Sequence, residues 1–249
     1  KSYLETVPGT RIDRGYVSPY FVNDQVKNAS VLQEPYILLV SGKIDKLNDL
    51  ISILEKVHQS GKPLLIVSDD IEGEALNALV MNSVKDILKC CAIRAPEFGT
   101  GRSSAMNDLA ILLGTKVYSN RSTDITKVEL ADLGKAEKVI VGRNETIIQG
   151  PNGNQEEVDN RLQEIKKRAM TIGIEPEEKN LCNRRISRLS GGIAIIRVGG
   201  STEAELRERK DRIDDALHAT KAAVAGGYLP GGGTALVKCL KRIEPESID

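Results

Sequence analysis

Aromatic side chains are scarce in this sequence of 249 residues, which has six tyrosines, two phenylalanines and no tryptophan. Three of them, Tyr16, Tyr20 and Phe21, fall within the short stretch RGYVSPYF. Scarce aromatics are normally buried, because each contributes much of the packing energy of a core. Ser18-Pro19 lies among them, however, and an X-Pro pair favours a turning segment at a surface. The stretch is either a turn that anchors a strand to the core or an exposed aromatic lip that contacts a partner.

An excess of charge and long apolar runs are also missing. The 35 lysines and arginines balance the 35 aspartates and glutamates, whereas proteins that bind nucleic acid or anionic membranes carry a basic surplus. The longest apolar runs, such as PLLIV at 63–67, have the length of a strand and are too short to cross a bilayer. We therefore expect a soluble protein without a nucleic-acid or membrane partner.

Cysteine is rare and shows no functional spacing. The four cysteines follow neither the spacing of metal ligands nor that of an extracellular disulfide framework. This predicts structural, reduced thiols in a reducing compartment, and no metal site. The cysteines are Cys90, Cys91, Cys182 and Cys239.

The ends of the sequence are unusual. It begins with KSYLETV, which has neither a starting Met nor the pattern of a signal peptide, and it stops shortly after TALVKCL, which looks like the start of a helix. We therefore expect a piece of a longer protein.

What is present is an alternation of strand-like and helix-like segments, which is typical of an α/β fold. Strand-like runs occur at 35–40, 63–67, 89–95, 138–141 and 146–150, and amphipathic helical patterns at 47–58, 73–84 and 103–113. Further along, the charged stretch 155–189 predicts a long surface helix followed by a second one. GGIAIIRVGG at 191–200 predicts a strand between glycine pairs that can act as hinges, and STEAE opens a last long helix at 201–225.

Two of the predicted helices carry more apolar surface than a helix on a sheet needs. In LNDLISILEKVHQ the apolar stripe is widened by Ile53, and in GEALNALVMNSV the apolar residues cover more than one side. Either a neighbouring layer covers the surplus, or the two helices present an apolar groove to a partner. Such a groove would bind extended or amphipathic peptides, and a ring of grooves would hold one unfolded chain through several weak contacts.

A glycine cluster and an acidic pair lie near the end, in DRIDDALHATKAAVAGGYLPGGGTAL. The backbone of Gly231, Gly232 and Gly233 could approach a phosphate at a helix N-terminus, but a plain tight turn is the commoner explanation of three glycines. Asp214 and Asp215 either orient a water or metal-bound phosphate, or are exposed charges that pair with lysine or arginine.

Taken in order, these segments resemble the group I, or GroEL-type, chaperonins. The resemblance rests on DRGYVSPYF, KPLLIVSDDIEGEALNALVMN, RAPEFG, ADLGKAEKV, LSGGIAIIRVGG, DDALHATKAAVAGG and PGGGTAL, and it covers essentially the whole sequence in family order. It implies an α/β fold, with a GroEL-type apical domain of β-sheets flanked by helices and a small α+β intermediate segment that carries the hinges. It also implies a molecular chaperone that promotes folding and refolding of other proteins.

The resemblance implies a domain for each region. Residues 8–190 correspond to the apical domain, which captures non-native polypeptide and then the lid co-chaperonin. Residues 1–7 and 191–226 correspond to the two halves of the intermediate domain. Residues 227–249 correspond to the start of the equatorial ATPase domain, most of which is absent.

The resemblance also implies roles for single residues. In the family, an aromatic segment and two helices bind unfolded polypeptide and the mobile loop of a GroES-type co-chaperonin. The matching positions are Tyr16, Tyr20, Phe21, Leu50, Ile51, Leu54, Leu76, Val80, Met81 and Asn82. Arg14 and Glu203 match charged positions used between subunits or domains of a heptamer-type homo-oligomeric ring.

The nucleotide site is implied in the same way. Asp215 matches the family's catalytic aspartate, which acts on the magnesium of bound ATP and its water, and Gly232, between Gly231 and Gly233, matches a glycine that contacts nucleotide. ATP and Mg²⁺ are therefore the cofactors expected of the full-length ring. With most of the pocket absent, we expect this chain to hold no cofactor and to show no ATPase activity.

The sequence departs from the family in the loop PEFGTG. Glu97 stands where the family usually has glycine, Thr100 stands where it has aspartate, and Ser103-Ser104 replaces a more basic pair. These changes bear on loop conformation and subunit contacts more than on peptide binding. The divergence favours a eukaryotic organelle, the mitochondrial matrix or the plastid stroma, over a bacterial cytoplasm.

Two other classes remain open. A structural scaffold with a closed core would lack an exposed groove. A small α/β enzyme would use the glycines for phosphate and four acids for a metal, although acids ahead of a helix are also ordinary caps. The acids are Asp69, Asp70, Glu72 and Glu74. Neither His58 nor His218 lies in a nucleophile or metal pattern.

Overall fold

The computed structural model describes residues 2–119 and 125–240, apart from the side chains of Thr100 and Ala225. These residues confirm the α/β fold. The strands are β1 (Tyr3–Ile12), β2 (Ser30–Gln33), β3 (Tyr36–Ile44), β4 (Leu64–Ile71), β5 (Cys90–Arg94), β6 (Val117–Ser119), β7 (Gly134–Val141), β8 (Thr146–Pro151) and β9 (Gly192–Arg197). The α-helices are α1 (Ile51–Ser60), α2 (Gly73–Val84), α3 (Thr100–Leu113), α4 (Gln155–Ala169), α5 (Pro176–Leu189), α6 (Glu203–Gly226) and α7 (Thr234–Leu240). Single 3₁₀ turns lie at Pro19–Phe21, Leu47–Asp49, Ile125–Lys127 and Leu130–Asp132.

The chain divides into two compact units. Thr6–Ile195 form the larger unit, and the remaining described residues, 2–5 and 196–240, form the smaller one. The domain boundaries expected from the sequence, after residues 7, 190 and 226, stay predictions. The assignment of the units to apical, intermediate and equatorial domains stays a prediction.

The centre of the larger unit is a parallel βαβαβ arrangement. Strands β3, β4 and β5 pair in parallel, and the sheet order is β5-β4-β3. Helix α1 leads from β3 to its neighbour β4, and α2 leads from β4 to its neighbour β5, so both connections move across the sheet in the same direction. Right-handed crossovers therefore place both helices on one face of the sheet. The chain then returns through α3 to β6, which pairs with β3, so α3 lies on the opposite face.

Burial on both faces explains the apolar runs. The side chains of residues 37–40 in β3 and 64–67 in β4 are completely buried, as expected for parallel strands covered by helices on each side. An antiparallel set extends the sheet: β7 pairs with β2, β3 and β8, and β8 pairs with β1. The sheet order ends with β9 beside β1.

A second helical layer covers α3. Helices α4 and α5 pack on it around a small apolar cluster of Leu112, Val158, Leu162, Ile165, Cys182 and Leu189. Within this layer the fully buried Asp108 carboxylate accepts hydrogen bonds from Arg161 Nε at 3.0 Å and from Arg185 Nε and Nη2 at 2.6 and 2.9 Å. The charged stretch 155–189 is therefore not wholly a solvated face, because this ion cluster joins α3, α4 and α5.

The smaller unit consists mainly of α6. Thr202 caps this helix, since its hydroxyl accepts a hydrogen bond from the Glu205 backbone N–H at 3.2 Å, and the side chains described along it are all exposed or half-buried. Elsewhere in the unit, Glu5 accepts two hydrogen bonds of 2.9 Å from Arg197.

The cysteines divide into two kinds. Cys90, Cys91 and Cys182 are buried and reduced, and burial raises the pKa of the Cys90 thiol to about 12. The prediction of a structural thiol is wrong for Cys239, which is exposed on α7, a helix without a buried residue. Within residues 2–119 and 125–240, no helix is both long and apolar enough to span a membrane.

Candidate functional site

An apolar strip runs along α2. Ala75 and Leu79 are buried against the sheet, whereas Leu76 and Val80 are half-buried at its edge. Beyond them the apolar surface continues outward: Met81 is 50% exposed, Val84 is 60% exposed and Ile87, just after the helix, is also exposed. The surplus apolar width predicted for this helix is therefore open. We call the set Leu76, Val80, Met81, Val84 and Ile87 the α2 strip.

Helix α1 behaves differently. Its apolar residues Ile53, Leu54 and Val57 are buried in the main core, so the protein itself covers the widened stripe. Leu50, just before the helix, is also fully buried, whereas the neighbouring Ile51 is exposed. Ile51 is therefore the one residue among these that α1 leaves exposed.

The neighbours of the two helices fix their order across the sheet. Lys56 of α1 donates hydrogen bonds to the Val128 carbonyl and to Glu129, at 3.1 and 2.8 Å, so the 3₁₀ turns at 125–132 flank α1. The 3₁₀ turn Pro19–Phe21 packs beside α2 and the edge strand β5. The α2 strip therefore has α1 on one side and the aromatic stretch on the other.

The aromatic stretch has one buried, one half-buried and one exposed ring. Phe21 is 1% exposed and belongs to the core, and the half-buried Tyr16 pairs with Ile93 of β5. Tyr20 is 68% exposed, and the Ser18 hydroxyl accepts a hydrogen bond from its backbone N–H at 3.4 Å. Phe21 thus anchors the turn. Of the three aromatic rings in this stretch, only that of Tyr20 is largely exposed to solvent.

Asn82 forms hydrogen bonds near the C-terminal end of α2. Its side-chain amide donates to the Ala78 carbonyl at 2.8 Å, and its backbone carbonyl accepts hydrogen bonds from the N–H groups of Ile87 and Leu88, at 2.9 and 3.2 Å. These bonds hold the loop after α2 close to the helix, so Ile87 stays next to the α2 strip.

The four acids at 69–74 do not form a site. Asp69 accepts a hydrogen bond from the Gly42 N–H at 2.9 Å, and Asp70 pairs with Arg94 at 2.9 Å. Burial is the largest single influence on the pKa of Asp70 and would raise it, but the hydrogen bond and charge of Arg94, together with the Ile71 backbone N–H and Lys43, lower this pKa overall. Glu72 pairs with Lys43. Among the described residues no three acids, histidines or cysteines group around a possible metal position, so the enzyme alternative is not supported.

The predicted nucleotide residues lie in the smaller unit. Asp215 is exposed on α6, and Gly231, Gly232 and Gly233 form an exposed turn before α7. Gly232 and Gly233 have φ values of +64° and +77°, which explains glycine there by backbone conformation alone. Their role with ATP stays a prediction.

The predicted contact residues Arg14 and Glu203 each have a partner in their own unit. The Arg14 guanidinium lies 4.5 Å from the centroid of the Phe98 ring, which is itself largely exposed. Glu203 stands at the start of α6 and is 3.6 Å from Arg207. Their roles between subunits or domains stay predictions.

Glu97, which departs from the family's usual glycine, forms contacts that the sequence did not predict. This residue has φ +62°, in the left-handed region where glycine is favoured. Its carboxylate accepts hydrogen bonds from Arg184 Nε and Nη2 at 3.1 and 3.0 Å and from Arg188 Nη2 at 3.1 Å. Burial would raise the pKa of Glu97, but these arginines outweigh it and hold the pKa below its ordinary value. The signal in the sequence was an acid at a glycine position with two arginines one helical turn apart.

The fold and the α2 strip together define an α/β protein that exposes apolar surface on adjacent helices of one sheet face. Its sequence matches the model of the TCP-1/cpn60 chaperonin family over residues 2–247. The chain belongs to this family. Membership supports a chaperone role and suggests client proteins and an oligomeric ring as partners.

Proposed function

We propose that this chain is the apical and intermediate part of an ATP-dependent group I chaperonin, and that the α2 strip binds non-native polypeptide and a co-chaperonin mobile loop. The observation that carries the proposal is the exposure of Met81 and Val84 beside the half-buried Leu76 and Val80. Ile51 at the start of α1 and Tyr20 in the turn beside α2 are further exposed hydrophobic residues. A contiguous exposed apolar patch of this kind is typical of a binding surface.

Burial separates the predicted contact residues into two groups. Phe21, Leu50 and Leu54 are buried, so we assign them to the support of the surface, and Tyr20, Ile51 and the α2 strip to contact with the peptide. Each aliphatic side chain that a peptide covers contributes about 1.5 to 3 kcal/mol before ordering costs. One strip therefore binds weakly, and a ring of strips binds an unfolded chain much more tightly.

In the complete ring we propose that Asp215 and the glycines at 231–233 serve ATP and Mg²⁺. Nucleotide would favour one of two conformations and so exchange the client for the co-chaperonin. The departures in the PEFGTG loop lead us to propose the mitochondrial matrix or plastid stroma as the location.

The test is the binding of a fluorescent amphipathic peptide, which fluorescence anisotropy measures. Met81→Glu places a charge in the strip, and a peptide that must bury this charge loses most of its affinity. The matched control is Met170→Glu, the same substitution at another exposed methionine, which lies after α4. We expect wild type and Met170→Glu to bind alike and Met81→Glu to bind at least about tenfold more weakly. Equal binding by all three proteins would place the peptide site elsewhere.

A further inference from the structure

The loop that follows α2 has a strained backbone. Asp86 has φ +53°, in the left-handed region that glycine adopts more easily. Its N–H donates to the Ser83 carbonyl at 3.1 Å, and the Ile87 N–H donates to the Asn82 carbonyl at 2.9 Å. These two bonds form a Schellman motif, in which Asp86 stands at the position that glycine usually takes. The conformation therefore costs free energy that other contacts of the loop must offset.

One such contact comes from α1. The Nδ1 atom of His58, in the last turn of α1, lies 3.0 Å from the carbonyl oxygen of Ile87. A carbonyl oxygen only accepts hydrogen bonds, so Nδ1 carries the proton and donates it. We call this hydrogen bond the His58 clasp. Both residues belong to the larger unit.

The His58 clasp joins matching ends of the two helices. Because α1 and α2 each connect parallel neighbouring strands, they run in the same direction, and their C-terminal ends lie at the same edge of the sheet. At this edge Leu88 is 5% exposed and fixes the loop to the core, whereas the side chain of Ile87 is 49% exposed. The clasp thus holds the backbone of the one loop residue that belongs to the α2 strip.

We infer that His58 is a positioning residue for peptide binding, because it keeps Ile87 at the end of the α2 strip and fixes α1 beside it. This inference rests on the proposed function. Without the clasp the strained loop would leave its present conformation part of the time. The apparent affinity for a peptide falls with the fraction of molecules that present Ile87 correctly.

Imidazole ¹⁵N NMR tests the clasp without any peptide. The chain has only two histidines, His58 and His218, so a variant of either one assigns both rings. In mildly alkaline solution, where histidine rings are neutral, we expect the proton of His58 on Nδ1. The amide hydrogen of Ile87 should also exchange faster in His58→Ala than in wild type. A His58 proton on Nε2, or unchanged exchange at Ile87, would show that the clasp does not form in solution.

Three variants test the role of His58 in the anisotropy assay with the amphipathic peptide. His58→Ala removes the donor and should weaken binding about threefold, the effect of one modest hydrogen bond. His58→Asn places an amide N–H as many bonds from the backbone as Nδ1 and should bind as wild type does. The matched control is His218→Ala in the smaller unit, since the Nδ1 of His218 also lies against a backbone carbonyl, that of Asp214 at 2.8 Å. This control should also bind as wild type does.

A double-mutant cycle shows whether His58 acts through Ile87. Ile87→Ala alone should weaken binding about tenfold, as expected for an apolar side chain that the peptide covers. In the Ile87→Ala background, His58→Ala should cause no further loss, because the side chain that it positions has been removed.

The inference is wrong if His58→Ala binds as tightly as wild type, or if His58→Asn binds as weakly as His58→Ala. A threefold loss that persists in the Ile87→Ala background would equally overturn it, since His58 would then act without Ile87. Met81→Glu separates this failure from that of the proposed function. Wild-type binding by Met81→Glu rejects the proposed function and with it the role of His58, whereas weak binding by Met81→Glu beside wild-type binding by His58→Ala rejects the role of His58 alone.

Discussion

Glu97 combines an unfavourable backbone conformation with favourable hydrogen bonds of its side chain. A non-glycine residue in the left-handed region costs about 1 kcal/mol, and Glu97 adopts that conformation at φ +62°. Its carboxylate meanwhile neutralises Arg188, which is almost completely buried. An unpaired charge at such a site costs more than the backbone does. The acid at this position is thus explained by the arginines of α5 rather than by the loop.

We expect Glu97→Gln to lower the free energy of unfolding by about 1 to 3 kcal/mol at neutral pH, since it keeps the shape and removes the charge. The arginines lower the pKa of Glu97 in the folded protein, so its contribution is complete above the unfolded value of about 4.3 and is lost as pH falls through the folded value. Urea unfolding of both proteins between neutral pH and pH 3 measures this. A difference that stays constant with pH would contradict the assignment.

For single residues, the sequence predicts the apolar character of a contact position better than the exposure of its side chain to solvent. It singles out the pairs Tyr20-Phe21 and Leu50-Ile51 as possible contact positions, but in each pair one residue is buried and its neighbour is exposed. Apolar residues that are adjacent in a turn have no fixed spacing to assign them to core or surface. Only the placement of the 3₁₀ turns against β5 and α2 decides which side chain points inward.

At the level of elements, Asp108 holds three helices together. It is completely buried on α3 and accepts hydrogen bonds from Arg161 of α4 and Arg185 of α5. Removal of one partner from a buried ion cluster leaves the others unpaired in a medium that solvates them poorly. The cluster therefore contributes to stability mainly through the penalty for breaking it.

Asp108→Asn should lower the free energy of unfolding by about 3 to 5 kcal/mol, because two arginines lose their carboxylate. The matched control is Glu164→Gln, which removes the exposed partner of the same Arg161 and should cost less than about 1 kcal/mol. The midpoint of urea unfolding, at an unchanged slope, reports both values. Similar losses in the two variants would show that burial adds nothing to the Asp108 cluster.

Elements with strong periodicity were predicted well, and short or irregular ones were not. The predicted helix 73–84 is α2 to the residue, because its apolar pattern runs along the whole segment and acids mark its start. Strand β1 was missed because Pro8 and Gly9 lie inside it, and both residues are poor in strands. The predicted helix 47–58 begins as a 3₁₀ turn, and α1 runs from Ile51 to Ser60.

At the level of the whole molecule, the two units differ in how much they bury. The larger unit has one extended core that includes β3 and β4. The described part of α6 has no buried side chain. A helix obtains most of its stability from packing of an apolar face, so α6 should open locally far more often than the central strands.

Hydrogen exchange followed by mass spectrometry measures this difference. We expect peptides from β3 and β4 to exchange only through global unfolding and peptides from α6 to exchange at least about a hundredfold faster. Equal protection of α6 would show that it buries a face in solution, for example against a second copy of the chain. Dilution would then restore fast exchange and so separate association from intrinsic stability.

The distribution of the cysteines allows site-specific labelling of this protein. Cys90, Cys91 and Cys182 are buried, and Cys239 is exposed on α7. Thiol reagents attack the accessible thiolate, so a maleimide dye would attach to the native chain at Cys239 without prior mutagenesis. A single fluorophore near the end of the chain, far along the sequence from Met81, leaves the α2 strip chemically untouched.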